Sequence, residues 1–316
     1  MNKTKQNKLK VIVILGPTSS GKSDTAIALA KKFNGEVISA DSRQIYRDMN
    51  LGTGKVTGKW LKLKGKNTFF KAFLSEKVPH HLLDFRSPRG KYNISNFKKD
   101  CENKIKEISK RNRLPIICGG TGFWIDAITK GTIFPEVKPD LKLRKKLTLF
   151  STEKLMRIIK KKDPLRAKTI DSKNKVRLIR AIEIIEELGK VPVIKNSPPS
   201  NINFLQIGID WPQKELTEKI QKRLNNRWQA GMIKEIKYLK STYNLSWKKI
   251  QSFGLGYFWI PLFLQNKISK EELREKVLIA ERGYAKRQKT WFYKNKTIIW
   301  ENNLPKIFTI VKDFLK

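Results

Sequence analysis

Two cysteines and two histidines are all that this chain of 316 residues holds of the common soft metal ligands. Cys101 and Cys118 offer neither metal-ligand spacing nor a disulfide framework, which points to a reducing compartment. Acidic residues are scarce too: 28 Asp and Glu stand against 68 Lys and Arg, for a formal charge of +40. That sign selects a polyanionic partner, nucleic acid first and an anionic membrane surface second. A Lys- and Asn-rich genome accounts for abundant lysine, but less well for the shortage of acids. Long apolar runs are also missing. Val11–Leu15, behind the basic start Met1–Lys10, is too short for a signal-peptide core. Tyr257–Leu264 is interrupted by Pro261 and cannot span a bilayer. With 39% hydrophobic residues a core is nonetheless available. The expectation is a monomeric cytoplasmic protein with no membrane partner.

What is present reads as alternating strands and helices. Val11–Leu15 is a β-branched run ending in Gly, a buried strand. Lys22–Phe33 reads as a helix, and Glu36–Ala40, Leu114–Cys118, Phe204–Trp211 and Thr297–Trp300 as further strands. This alternation predicts an α/β fold with a parallel sheet flanked by helices. Ile133 to Ser200 is too long for one crossover and reads as a helical insert, closed by the loop-like stretch from Asn196. Core at residues 1–130 and 201–316, insert at 131–200, is the expected division. Ser269 and Glu272 form a capping-box signal for a long helix with Leu273, Val277, Tyr284 and Trp291 on or near one face. Lys62–Lys71 reads as a basic loop.

The segment Gly16-Pro17-Thr18-Ser19-Ser20-Gly21-Lys22-Ser23 fits the phosphate-loop pattern G-x-x-x-x-G-K-[ST], with a strand before it and a helix after. Glycines let the backbone turn its N–H groups inward on phosphate oxygens, and the helix N-terminus adds a favourable dipole. Lys22 supplies a full charge, and Ser23 can hold Mg²⁺. Such a loop is that of nucleotide- and ATP-binding proteins, but the pattern says phosphate and not ATP hydrolysis. The strand ending Ile116-Ile-Cys-Gly-Gly120 carries no acid for an ATPase. Asp41, at the end of the second strand, lies on the edge where open α/β sheets bind ligands and suits a base for an incoming acceptor.

Further stretches go with this loop: Ala40 to Tyr46, Leu51 to Lys55, His80 to Asp84, Gly119 to Gly122, Asp163-Pro164, Arg177 to Glu183, and Tyr284 to Gln288 with Thr290-Trp291. In this order, over about residues 10 to 300, they resemble the bacterial tRNA dimethylallyltransferase family. The resemblance implies a P-loop NTPase-like core that binds dimethylallyl diphosphate with Mg²⁺. It implies as partner a tRNA anticodon stem-loop, whose adenosine 37 is prenylated at N6 with release of diphosphate. On matching positions it makes Asp41 the catalytic base, with Lys22 and Thr121 at the reacting atoms. Gly16 to Ser23 and Arg223 would hold the diphosphate, with Ser23 on the metal. Asp41, Ser42, Arg43, Gln44 and Thr121 would contact tRNA. So would Arg144, Val176, Arg177, Leu178, Ile179 and Arg180 in the insert, and Ile250, Gln251, Ser252, Phe253, Gly254 and Leu255. Two departures stand out. The family usually has Gly-Tyr-Lys-Glu where this chain has Gly254-Leu-Gly-Tyr257, and Lys219 stands where Arg is frequent.

Other readings compete. The cradle could serve an ATP-dependent phosphotransferase with Asp41 as the acceptor's base, or be kept by a non-catalytic RNA-binding protein. Lys138–Lys162 holds ten basic and two acidic residues, which is either an RNA contact or a solvated helical face. Arg177, Arg180 and Glu183 share a helical face and could be a structural ladder. His80 and His81, with no third ligand nearby, read as structural. Phe123 and Trp124 read as core or channel wall, and Trp291, Phe292 and Tyr293 as core.

Overall fold

A computed structural model describes residues 8–64 and 69–316. Most of the basic start, residues 1–7, and the middle of the supposed basic loop, residues 65–68, lie outside the described residues. The chain divides into two compact units, residues 1–130 with 198–316, and residues 131–197.

The first unit is an α/β core. In chain order it contains β1 (Leu9–Leu15), α1 (Lys22–Lys32), β2 (Gly35–Ser39), β3 (Lys59–Lys64), β4 (Phe69–Ser75), β5 (Val78–His81), α2 (Ile94–Lys110), β6 (Leu114–Gly119) and α3 (Gly122–Thr129). The second unit then intervenes with β7 (Thr132–Ile133), α4 (Leu141–Thr148), α5 (Thr152–Lys162), α6 (Pro164–Thr169), α7 (Lys175–Leu188) and β8 (Lys195–Asn196). The core resumes with β9 (Ile202–Gly208), α8 (Gln213–Gln229), α9 (Met232–Thr242), α10 (Trp247–Gln251), α11 (Gly256–Leu264), α12 (Lys270–Phe292), β10 (Ile299–Trp300) and α13 (Leu304–Leu315).

The sheet order is β10-β9-β1-β6-β2-β5-β4-β3. β1 lies in its middle, parallel to both neighbours, with Ile12 opposite Ile116 and Leu205. Its residues Val11 to Leu15 are fully buried. Side chains alternate across a strand, so β1 feeds two cores. Val11, Val13 and Leu15 pack with Phe97 and Ile105 of α2 and Trp124 of α3, while Ile12 and Ile14 pack with Ala26 and Leu29 of α1 and Ile307 of α13. A strand buried on both faces needs the unbroken apolar run that the sequence shows.

Several sequence expectations need correction. Lys62–Lys71 is no simple loop: β3 and β4 pair antiparallel, Lys62 opposite Lys71, and β4 pairs antiparallel with β5. Lysines alternating with Leu61 and Leu63 suit a sheet edge, where charge discourages further pairing. The supposed strand Phe204–Trp211 starts at Ile202 and stops at Gly208, and the last strand is only Ile299–Trp300. The insert is not wholly helical, since β7 and β8 close its base as a small antiparallel pair. Of Trp291, Phe292 and Tyr293 only Phe292 is core; the other two are 41% and 45% exposed. Trp291 donates its indole N–H to Asp126 at 3.1 Å, and Tyr293 stacks on Trp300. The Ser269–Glu272 capping box does open α12. His80 and His81 lie in β5, a strand that sequence reading missed. His81 Nε2 meets Glu36 Oε2 at 2.6 Å, and Arg111 binds the same carboxylate at 2.6 Å. Among the described residues no cluster of three or more His, Cys, Asp or Glu could hold a metal. No helix there is long and apolar enough to cross a membrane.

In the second unit, α4 to α7 surround a small core of Leu147, Leu155, Ile159, Leu178 and Ile182. At its edge Glu183 is 2% exposed and gathers four donors. Arg144 binds it with Nε at 2.6 Å and Nη2 at 2.7 Å, Arg180 with Nη1 at 3.3 Å, and the Asp140 amide at 2.9 Å. Arg180 also donates to the Val137 carbonyl at 2.8 Å. The ladder reading therefore holds for Arg180 and extends to Arg144, whose guanidinium is turned inward. Arg177 stays 3.8 Å from Asp171 at the surface, Val176 is 78% exposed, and Leu178 is core. Burial alone would raise the Glu183 pKa, but the Arg144 fork, the Asp140 amide and Arg180 together hold it below 4.5. The sign follows: this stabilisation is present above pH 4.5 and is lost as acidification passes through the depressed pKa. Glu183→Ala, which strands a partly buried Arg144, should loosen this unit by about 2–4 kcal/mol. Hydrogen exchange should then quicken across residues 131–197 and not in the sheet; unchanged exchange there would contradict this role.

Candidate active site

β1 delivers the chain into the phosphate loop at the carboxyl edge of the sheet. Gly16 has φ +144°, and a Cβ there would meet the Ile209 carbonyl oxygen at 2.1 Å. This position therefore needs glycine twice over, for its backbone and for its space. Gly21, with φ +93°, then turns the chain into α1. Lys22 is the first helical residue and donates its ammonium to the Pro17 carbonyl of its own loop. Burial, helped by the nearby Arg223 charge, pushes the Lys22 pKa down to about 8, against the opposing pull of Cys118 and Asp41.

The loop is tied from outside. Gln288 of α12 accepts from the Thr18 amide at 2.8 Å and donates to the Gly120 carbonyl at 2.8 Å. It thereby joins the loop to the end of β6. Gly120 must be small, since a Cβ would meet Gln288 Nε2 at 2.2 Å. Arg223 of α8 reaches Thr18 Oγ1 at 3.3 Å and the Gly54 carbonyl at 2.6 Å. Burial, with Arg227 next to it, lowers the Arg223 pKa. Arg227 is balanced by Glu281 at 2.8 Å. Lys219 does not join this group; its ammonium lies 4.2 Å from the centre of the Trp211 ring.

Asp41 follows β2 by two residues. Its Oδ1 accepts from the amides of Arg43 at 2.8 Å and Gln44 at 3.3 Å, which fixes the turn and the carboxylate together. Such an Asx-type turn leaves Oδ2 for a ligand. Thr121, just beyond β6, accepts from the Ser42 amide at 3.1 Å and shares a hydrogen bond with the Tyr284 hydroxyl. Burial, with Asp41 nearby, raises the Tyr284 pKa and keeps the phenol protonated. Arg43 donates to the Ser252 carbonyl at 3.3 Å and lies over Phe253, with Lys249 also 5.0 Å from that ring centre.

These groups meet at one cavity of about 300 Å³. Thr18, Lys22, Ser23 and Arg223 line one part, and Asp41, Ser42, Arg43 and Gln44 another. Phe253, Gly254 and Leu255 also line it. Of the other expected residues, Thr121 stands behind Ser42, Ile250 is wholly buried, and Gln251 and Ser252 are not in the lining. Ser20 is buried with its hydroxyl unpartnered. Arg144 and Val176 to Arg180 belong to the second unit. Sequence reading did not pick out Arg227, Glu281, Tyr284, Arg287 and Gln288 as lining residues. Tyr284 and Gln288 ended a matched stretch, and their spacing of four on α12 was the available signal. The arrangement sets several cations beside a carboxylate fixed by its own turn, on one cavity.

A sequence model described as IPP transferase matches residues 44–296, and one described as isopentenyl transferase matches residues 9–71. A tRNA dimethylallyltransferase of Finegoldia magna is 38% identical over 301 residues, covering 93% of this chain and 91% of that protein. The crystal structure of the full-length tRNA isopentenylpyrophosphate transferase of Bacillus halodurans aligns with TM-score 0.69 and 30% identity, over 98% of this chain and 97% of the other. A eukaryotic dimethylallyltransferase captured acting on tRNA aligns with TM-score 0.73 and 27% identity, over 90% of this chain and 70% of its own. With the match to the first sequence model running over most of its length, the chain belongs to the tRNA dimethylallyltransferase family.

Proposed function

We propose that this protein transfers the dimethylallyl group of dimethylallyl diphosphate to N6 of adenosine 37 in tRNA. The observation that carries the proposal is the single cavity onto which Lys22, Arg223 and Asp41 all open. An exocyclic amine is a poor nucleophile, whereas an allylic carbon is a good electrophile because its charge is delocalised. Catalysis therefore rests on stabilising the leaving diphosphate and on aligning the amine. The phosphate loop, Lys22 and Arg223 do the first, as preorganised donors in a confined site. Asp41 Oδ2 does the second and takes the amine proton as the new C–N bond forms and the C–O bond to diphosphate breaks. The adenine must leave its stack to arrive, at a cost of roughly a few kcal/mol. Arg43, lying over the Phe253 ring in the cavity lining, supports this reading as a cation for the RNA backbone.

Magnesium fits as a shared ion and not as a protein-caged one. The described residues offer no carboxylate or histidine cluster, yet Ser23 lines the cavity at the head of α1, and Mg²⁺ commonly takes few protein ligands with phosphates completing its shell. Ser23 would hold it, and the ion would neutralise charge on the departing diphosphate. A monomer acting in the cytoplasm remains the expected setting.

Incubation with labelled dimethylallyl diphosphate and unmodified tRNA tests the reading. Label should enter tRNA, and Lys22→Ala should lower the rate by at least about 100-fold without unfolding the chain. ATP-dependent phosphorylation in place of label transfer would favour a phosphotransferase and overturn the proposal.

The lowered Lys22 pKa gives a second test. Bound diphosphate favours the ammonium form, and the free protein loses that proton at about pH 8. Donor binding without tRNA should thus be flat below pH 8 and weaken above it by up to about tenfold per pH unit, with proton uptake seen by calorimetry. Lys22→Arg should remove the slope. A flat wild-type profile to about pH 9.5 would contradict this account of Lys22.

A further inference from the structure

The turn at residues 49–55 carries no catalytic side chain in the scheme above, yet its carbonyl oxygens hold two of the arginines that line the cavity, Arg223 and Arg227. Arg223 Nη2 donates to the Gly54 carbonyl at 2.6 Å, and Arg227 Nη1 to the carbonyls of Leu51 and Gly52 at 3.3 Å each. Gly54 is pressed so near that a Cβ would lie 2.0 Å from Arg223 Nη2. The backbone of this turn thus helps to aim both guanidinium groups, with Thr18 on the other side of Arg223 and Glu281 on the other side of Arg227.

One carboxylate in turn fixes the turn. Glu235 of α9 accepts from three successive amides: Asn50 at 2.9 Å and Leu51 at 2.6 Å on Oε2, and Gly52 at 3.0 Å on Oε1. A fourth donor, the Tyr257 hydroxyl, reaches Oε1 at 2.7 Å. Tyr257 is 2% exposed and packs so tightly on Gly52 that a Cβ there would meet its ring at 2.4 Å. Burial beside Glu235 keeps the phenol protonated, so it donates. Hydrogen bonds to an ionised acceptor are roughly twice as strong as neutral ones, and three adjacent amides leave the turn little freedom.

We propose that Glu235 and Tyr257 are positioning residues for the donor diphosphate: they clamp residues 50–52, whose turn aims Arg223 and Arg227 into the cavity. This rests on the diphosphate reading of the cavity given above.

The test is direct binding of inorganic diphosphate with Mg²⁺, with tRNA binding measured alongside. Tyr257→Phe keeps the ring against Gly52 and removes one donor; it should weaken diphosphate binding about five- to tenfold. Glu235→Gln places an amide group against amide donors and should weaken it more. tRNA affinity should stay within about twofold in both, since a charge-assisted contact to diphosphate is what is lost. The deciding comparison is a double-mutant cycle. If Tyr257 acts through Arg223, the Tyr257→Phe loss should shrink to under about twofold in an Arg223→Ala background. A general packing defect predicts instead the same loss in both backgrounds, and that result overturns the inference. Should Glu235→Gln fail to fold, the tyrosine cycle still decides. Normal diphosphate binding by Tyr257→Phe overturns this inference alone. Absence of binding by the wild-type protein overturns both it and the diphosphate reading of the cavity.

Discussion

Three cations, Lys22, Arg223 and Arg227, stand around one cavity of about 300 Å³ and repel one another before any anion arrives. Burial lowers the pKa of both Lys22 and Arg223, which measures how unfavourable the arrangement is in the free protein. Much of the surrounding structure serves to hold them there. Carbonyls of Pro17, Leu51, Gly52 and Gly54 accept their N–H groups, and Glu281 balances Arg227. Gln288 then fixes the phosphate loop against the end of β6. Cations satisfied by backbone oxygens keep most of their charge for a ligand, whereas a full set of carboxylate partners would cancel it. Under the proposed function a diphosphate is the complement to such a site, and its departure is the step that the site would stabilise.

The second unit uses its arginines differently. Arg144 and Arg180 converge on the buried Glu183, so part of the charge in that basic region is spent within the unit. Lys145 and Lys146 are exposed on α4 and stand outside that ion pair. A charge count over Lys138–Lys162 cannot separate these two populations, because an inward-turned arginine and an outward lysine count alike.

The sheet core was legible because β1 and β6 are buried on both faces and carry the apolar runs Val11–Leu15 and Ile116–Cys118, while β2, also buried, holds Val37 and Ile38 between Glu36 and Ser39. The loop from Gly16 to Ser23 was legible because phosphate binding fixes both glycine and lysine spacing. The far side of the sheet was not: the edge strand β3 mixes lysine with leucine as a basic loop would, and the interior strand β5 is only Val78–His81. Asp41 was reachable from its place after a strand. Arg227 and Glu235 were not, since each acts on backbone far away in sequence, and such contacts leave no local pattern. The inward turn of Arg144 was hidden for the same reason, its partner lying 39 residues on.

The central claim is that the leaving diphosphate and the proton acceptor face each other across one cavity. A crystal structure with an unreactive dimethylallyl thiolodiphosphate tests it most directly. The account predicts both phosphates against the amides of Ser19 to Ser23 with Lys22 and Arg223, and the allylic carbon turned toward Asp41 and the Thr121 side. Phosphates bound away from the loop, or a prenyl tail pointing away from Asp41, would contradict it.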